Sequence, residues 1–168
     1  MELVRVGLAW NPSRGRRRLG RLRPPVDLDL AAILLAGGDP VEVVYHEHLT
    51  SNDGAVRLLG DSIDGSAPGD DETITADLTR IDDSITEIAI LVTCSSGQTF
   101  GEIIDAHCRI LDAAGAEITD CPLAPATATG MVVGSFIRMA DWGFREIAAA
   151  VSATHPVEAL PQLPNLLA

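Results

Sequence analysis

The 168-residue sequence has no lysine, few aromatic residues and no long apolar run. Aromatic residues make up 4%, so the core must depend on Val, Ile, Leu and Ala. The longest uncharged stretch, residues 121–137, is interrupted by Pro122 and Pro125 and is too short for a membrane-spanning helix. The three cysteines are an odd number without CxxC spacing, which favours reduced cytosolic thiols over a disulfide framework or a zinc site. We therefore expect one cytoplasmic domain that is not an integral membrane protein.

The charge of the chain is strongly one-sided. Twenty-four acidic residues stand against twelve arginines, which gives a net charge of -12 at pH 7. Six of the arginines lie between Arg14 and Arg23, where no acid occurs, so the rest of the chain carries -18. Such a surface repels nucleic acid and attracts cations, so a nucleic-acid partner is not expected. We interpret the arginine segment as a solvated basic loop, with binding of an anionic partner as the alternative.

Short β-type segments follow one another along the chain. Residues 3–10 alternate between apolar and other side chains, and similar segments occur at 41–45, 55–59, 73–78, 87–93, 103–111, 116–119, 130–139 and 142–149. Short helices are expected only at 78–84 and after residue 148. Many short strands separated by Gly, Asp and Pro predict an all-β domain, either a sandwich or a barrel. Residues 1–154 form this domain, with a basic loop at 14–25, and 155–168 form a Pro-rich tail that is expected to dock loosely.

Two acidic segments are candidate cation ligands. Residues 60–72 contain five acids and no base, and Gly65, Pro68 and Gly69 give sharp turns. A second pair lies two residues apart on a predicted strand, so its side chains point to one side. The acids are Asp61, Asp64, Asp70, Asp71 and Glu72 in the first segment and Asp27 and Asp29 in the second. Calcium takes about 6–8 oxygen ligands of this kind. A solvated acidic turn is an equally good reading of composition alone.

Several blocks together resemble the bacterial TerD family of tellurium-resistance and stress-response proteins. The matching blocks are residues 6–10, 26–35, 43–45, 53–56, 60–61, Gly65, 69–72, Ile74, 77–78, 129–132, Arg138 and 142–145. Their order and spacing cover the chain from Val4 to about Ser152. The most specific block consists of residues 60–61, Gly65, residues 69–72, Ile74 and residues 77–78. The departures are Ser62, Pro68 and Ala31, each of which removes an oxygen donor that the family pattern has.

The resemblance implies a β-sandwich of two antiparallel sheets with a few short helices. It also implies calcium as the bound ion, with the acidic residues named above as ligands, Asp64 being the least certain. A non-enzymatic role follows, as a calcium-dependent sensor or assembly component of tellurite resistance with protein partners in the same stress response. The alternative is a divergent scaffold that has lost calcium and binds protein partners.

Two further residue groups have their own interpretations. His46 and His48, with Glu47 between them, have the spacing of a chelating pair on a strand. A surface pair is the better reading, because a site needs further ligands and His107 and His155 lie on other segments. Cys94 begins a Cys-Ser-Ser-Gly segment and is expected to be exposed, whereas Cys108 shares an apolar face with Ile110. A thiol-dependent enzyme that handles an oxyanion or oxidant is therefore the least favoured hypothesis.

Overall fold

The computed structural model describes residues 1–11, 25–60 and 69–168. Within these residues the chain forms ten strands and two short α-helices. The strands are β1 (Leu3–Asn11), β2 (Leu28–Ala36), β3 (Asp39–Val44), β4 (Val56–Leu59), β5 (Glu72–Asp77), β6 (Glu87–Cys94), β7 (Ile104–Asp112), β8 (Glu117–Pro122), β9 (Gly130–Arg138) and β10 (Trp142–Val151). The helices are α1 (Pro156–Ala159) and α2 (Leu163–Leu167), with single 3-10 turns at Phe100–Glu102 and Leu160–Gln162.

The strands form two five-stranded antiparallel sheets. The first has the order β4-β5-β1-β7-β8, and the second has the order β10-β9-β6-β2-β3. Within the part of the chain that the structure describes, the first and last strands of each order do not pair with each other, so the predicted sandwich is confirmed and the barrel alternative is wrong. Among the described residues, no helix is long and apolar enough to cross a bilayer.

The main core lies between the two sheets. Val6 and Leu8 of β1 and Leu28 and Leu30 of β2 are all fully buried there. Their spacing of two residues is the strand period, so each sheet presents alternate side chains to the other. Most of the remaining core consists of Val, Ile, Leu and Ala, as the low aromatic content requires.

The C-terminal segment covers the outer face of the second sheet. Ala31 and Ile33 of β2 point to this face and are fully buried, and Ala159 and Leu163 of the C-terminal segment pack in the same cluster with 0% and 1% exposure. The expectation of a loosely docked tail was therefore wrong. Leu163 belongs to an amphipathic segment whose prolines lie at the first positions of the helices, where proline is tolerated.

Residues 78–84 form turns instead of the predicted helix. Oδ1 of Asp77 accepts hydrogen bonds from N and Oγ1 of Thr79, at 3.2 and 2.6 Å. Oδ1 of Asp82 accepts from N and Oγ of Ser84 in the same way, at 2.9 and 2.6 Å. Such local bonds satisfy the backbone in turn geometry and compete with helix formation.

Candidate metal centre

Two of the predicted acidic positions lie where strands of opposite sheets begin. Glu72 is the first residue of β5 and is opposite Leu8 of β1 in register. Asp29 is the second residue of β2. Oε2 of Glu72 accepts a 2.6 Å hydrogen bond from N of Leu30, which links the first sheet to the second. The backbone of Leu30 is reached at this point because β3 pairs with β2 only from Ala32 onward.

Asp71 fixes the end of β1. Its N donates to O of Leu8 at 2.8 Å, and its Oδ2 accepts from N of Trp10 at 3.1 Å. The indole Nε1 of Trp10 donates in turn to O of Val26 at 3.3 Å. The segments that lead into β2 and β5 are thus tied to the same strand, next to Asp27.

Three of the predicted ligands are buried carboxylates. Asp29 is 5% exposed, Asp71 is 4% exposed and Glu72 is 1% exposed. Removing an ionised carboxylate from water costs several kcal/mol unless hydrogen bonds or opposite charge compensate. A bound divalent cation supplies such compensation, and carboxylate oxygens are the hard ligands that calcium prefers. The donor set therefore fits calcium.

Asp27 and Asp29 differ in their surroundings. Asp29 lies on the face of β2 that carries Ala31, opposite the face that carries Leu30. Its Oδ1 is 3.6 Å from Nδ1 of His46. Asp27 precedes the strand and is half-buried. The strand places one carboxylate against an imidazole and leaves the other nearer to solvent.

Asp70 lies over the outer face of the first sheet. Gly7 points outward between Val6 and Leu8, and a Cβ on Gly7 would overlap the carboxylate of Asp70. Asp70 also forms a hydrogen-bonded ion pair with Arg109, which is opposite Gly7 in register. This hydrogen bond is the main reason that the pKa of Arg109 is raised, although partial burial opposes it. The carboxylate of Asp70 thus has a structural partner of its own.

Only some of the predicted calcium ligands belong to the part of the chain that the structure describes. Asp61 and Asp64 lie outside these residues, as does the arginine segment between Arg14 and Arg23. The described members are Asp27, Asp29, Asp70, Asp71 and Glu72. Within residues 1–11, 25–60 and 69–168, no three of them place ligand oxygens within 4.8 Å of one another. The ligand assignment therefore stays a prediction.

A different set of side chains does bring three metal-ligating atoms this close together. One ligand atom each from His46, Glu47 and His155 lie within 4.8 Å of one another. His46 and His48, the pair suggested by the sequence, have different partners. Nε2 of His48 lies 2.8 Å from Oε1 of Glu42. Since His155 belongs to the C-terminal segment, no local spacing in the sequence could have indicated this group.

The three cysteines are all buried. Cys94 is 0% exposed, which differs from the expectation of an exposed thiol, and Cys108 is 0% exposed as expected. Burial raises the pKa of Cys108, and the neighbouring Cys121 raises it further. Burial likewise raises the pKa of Cys121, which is opposite Cys108 in register. Because the thiolate is the reactive form, burial disfavours the reactive state of Cys108 and Cys121.

A family model and several relatives match most of the chain. A family model described as "TerD domain" matches residues 1–160. The chain is 31% identical over 156 residues to tellurium resistance protein TerZ of Serratia marcescens, covering 89% of this chain and 81% of the relative. It is 32% identical over 124 residues to stress response protein SCP2 of Bacillus subtilis (strain 168), covering 67% and 62% of the two chains.

A solved structure has the same fold over nearly the whole chain. It is a homologue of a telluride resistance protein (TerD) from Streptomyces coelicolor A3(2), with a TM-score of 0.83 and 28% identity over 95% of each chain. The molecule is thus a two-sheet sandwich with buried carboxylates at one end. The chain belongs to the TerD domain family, as the sequence blocks predicted.

Proposed function

We propose that this TerD-family chain binds calcium at its acidic end and acts in the stress response as a calcium-dependent sensor or assembly component. The observation that carries the proposal is the hydrogen bond that joins the two sheets between Glu72 and Leu30, with the buried acids Asp29 and Asp71 next to these residues in sequence. Calcium at this point would hold β2 and β5 together.

The acidic residues would have different roles in the proposed calcium site. Asp29, Asp71 and Glu72 are the buried members and would bear the charge of the ion. Asp27 would extend the site toward solvent, and Asp61 and Asp64 from the neighbouring segment would complete it. Asp70 is left out of the site because its carboxylate pairs with Arg109. A net charge of -12 also favours accumulation of cations near the chain.

The biological role is proposed from the relatives. One is named for tellurium resistance and another for stress response, so we place this chain in the same kind of response. A sensor or assembly role needs no catalytic group, and the burial of the three thiols gives no support to a thiol-dependent enzyme. Protein partners of the same response would recognise the calcium-bound form.

Calorimetric titration of calcium into EDTA-stripped protein tests the proposal, with magnesium as the competing ion. Saturable binding that prefers calcium, with one or two ions per chain, is the expected result. A ligand present at about 100 times its Kd should stabilise the fold by about 2.7 kcal/mol, seen as a higher Tm. Asp141 is exposed and lies between β9 and β10. The Asp141→Asn variant therefore controls for the loss of one negative charge away from the site. Neither heat nor a change in Tm would favour the scaffold that has lost calcium.

A further inference from the structure

His46 and Glu47 are held in place by a tight turn at the end of β3. N of Tyr45 donates to O of His48 at 3.0 Å, and N of His48 donates to O of Tyr45 at 2.9 Å. These two bonds close a two-residue turn with His46 and Glu47 at its centre. Both side chains therefore leave the backbone from a fixed geometry.

His155 is fixed by its position at the start of α1. It is the N-cap residue, and its Nδ1 accepts a 3.2 Å hydrogen bond from N of Val157. The helix behind it is anchored by the fully buried Ala159. Nε2 of His155 faces Oε2 of Glu47 at 3.8 Å. The C-terminal segment thus brings a second imidazole to the turn.

Tyr45 orients the members of this group. Its ring makes edge contacts with the rings of His46 and His155, with centroids 5.1 and 5.5 Å apart. Its hydroxyl donates to Oε2 of Glu47 at 2.8 Å. The side chains of His46, Glu47 and His155 keep 32%, 62% and 37% of their exposure, so an ion can reach them from solvent. The group is therefore both ordered and accessible.

We propose that His46, Glu47 and His155 bind one divalent transition-metal ion of the zinc type, separate from the proposed calcium site. Two imidazoles and one carboxylate are a ligand set that zinc accepts, with water in the fourth position. Calcium prefers oxygen ligands alone, so the two imidazoles select against it.

Metal binding has a consequence for the first turn of α1. Because Nδ1 of His155 accepts the bond from Val157, the proton of the neutral ring is on Nε2. Binding of zinc to the neutral ring through Nε2 requires that proton to move to Nδ1. Nδ1 can then no longer accept, so the bond from Val157 is given up. Occupancy of the site is therefore linked to how the C-terminal segment begins.

Nitrogen NMR of the four histidine rings in the full chain tests the proposal without any substitution. Zinc is added in saturating calcium, so the oxygen sites are occupied, and magnesium is added to a parallel sample. We expect the ring signals of His46 and His155 to shift with zinc. The ring signals of His48, 2.8 Å from Glu42, and of His107, 3.2 Å from Asp120, should not shift. Absence of zinc-dependent shifts at His46 and His155 would overturn the proposal and leave the calcium site untouched.

Affinity measurements with matched variants provide the second arm. Loss of even an outer partner of a metal site lowers affinity about 10–100-fold, so His46→Ala and His155→Ala should each weaken zinc binding at least about tenfold. His48→Ala is the control, since it removes a histidine from the same turn and should leave the Kd for zinc unchanged. Competition against a zinc indicator measures all three. Equal Kd values in the three variants would refute the assignment.

Discussion

The 2.6 Å hydrogen bond from N of Leu30 to Oε2 of Glu72 joins β2 to β5 across the interface between the two sheets. Glu72 is 1% exposed, so its carboxylate is held away from bulk water by the fold itself. The carboxylate that accepts from the backbone of Leu30 is also proposed to bind calcium. The structural and ligand roles of Glu72 can be separated by choosing the substitution.

Glu72→Gln should abolish the stabilisation by calcium while preserving the fold. The amide oxygen of Gln can still accept from N of Leu30, but the negative charge is gone. Glu72→Ala should lose both, and in EDTA it should be less stable by about 1–3 kcal/mol because a buried donor loses a charged partner. Urea unfolding of wild type and both variants, with EDTA or with calcium, makes the comparison. Calcium stabilisation that persists in Glu72→Gln would remove Glu72 from the ligand set.

Asp70→Asn should weaken the fold without changing its response to calcium. Asp70 pairs with Arg109 over Gly7, on the outer face of the first sheet. Because the side chain of Arg109 is 33% exposed, the pair should contribute only about 1 kcal/mol. A double-mutant cycle with Arg109→Gln in EDTA measures this coupling, and the shift of Tm with calcium is measured in parallel. Loss of the calcium shift in Asp70→Asn would instead assign Asp70 as a ligand.

The sequence predicted the strands best where one face of the strand is buried. β1 alternates clearly because Val6 and Leu8 face the core and Gly7 faces outward. β2 shows a continuous apolar run because Leu30 faces the first sheet and Ile33 faces the C-terminal segment. An apolar run without alternation indicates that both faces of the strand are buried, but not which segment covers each face. The docking of residues 155–168 therefore could not be predicted.

The sequence located the acidic residues but not the directions of their side chains. Asp70 and Asp71 are neighbours, yet Asp70 pairs with Arg109 whereas Asp71 accepts from N of Trp10. Adjacent residues outside a regular strand need not share a face, and only the turn geometry decides. The group around His155 was missed for a different reason, since it depends on a contact between distant segments.

One block of the family pattern has a structural explanation at the other end of the sandwich. Arg138 donates from Nε to O of Ile85 at 2.9 Å and from a terminal nitrogen to O of Ile81 at 3.0 Å. Its guanidinium also lies 4.7 Å from the ring centroid of Trp142. A planar group with several fixed donors suits this position, which a lysine could not reproduce.

Asp53 should make the stability of the fold depend on pH. Partial burial opposes its ionisation, but hydrogen bonds from Oγ of Ser51, N of Ala55 and N of Asp82, together with Arg80, lower its pKa below the usual 3.8. A lowered pKa means that the stabilisation is complete above the unfolded pKa and is lost as pH falls through the folded pKa.

Asp53→Asn should therefore be less stable than wild type by about 1–2 kcal/mol at neutral pH, with the difference shrinking below about pH 4. In the Asp53→Asn variant an NH2 group replaces one carboxylate oxygen, so the N–H of Asp82 faces a second donor and loses its acceptor. Urea unfolding in EDTA from pH 7 to pH 3 measures the difference, and Asp141→Asn controls for the loss of one charge. A difference that stays constant over this pH range would show that ionisation of Asp53 is not involved.

Leu163→Ala should destabilise the whole domain, because the C-terminal segment completes a second core. Leu163 is 1% exposed and packs in the cluster that contains Ala31 and Ile33. Truncating a buried leucine costs about 2–5 kcal/mol through lost apolar contact and the cavity left behind. Val157→Ala is the matched control in the same segment, since Val157 is 48% exposed and should change stability by no more than about 0.5 kcal/mol. Equal, small effects of the two substitutions on the free energy of unfolding in urea would mean that this segment adds little to the core.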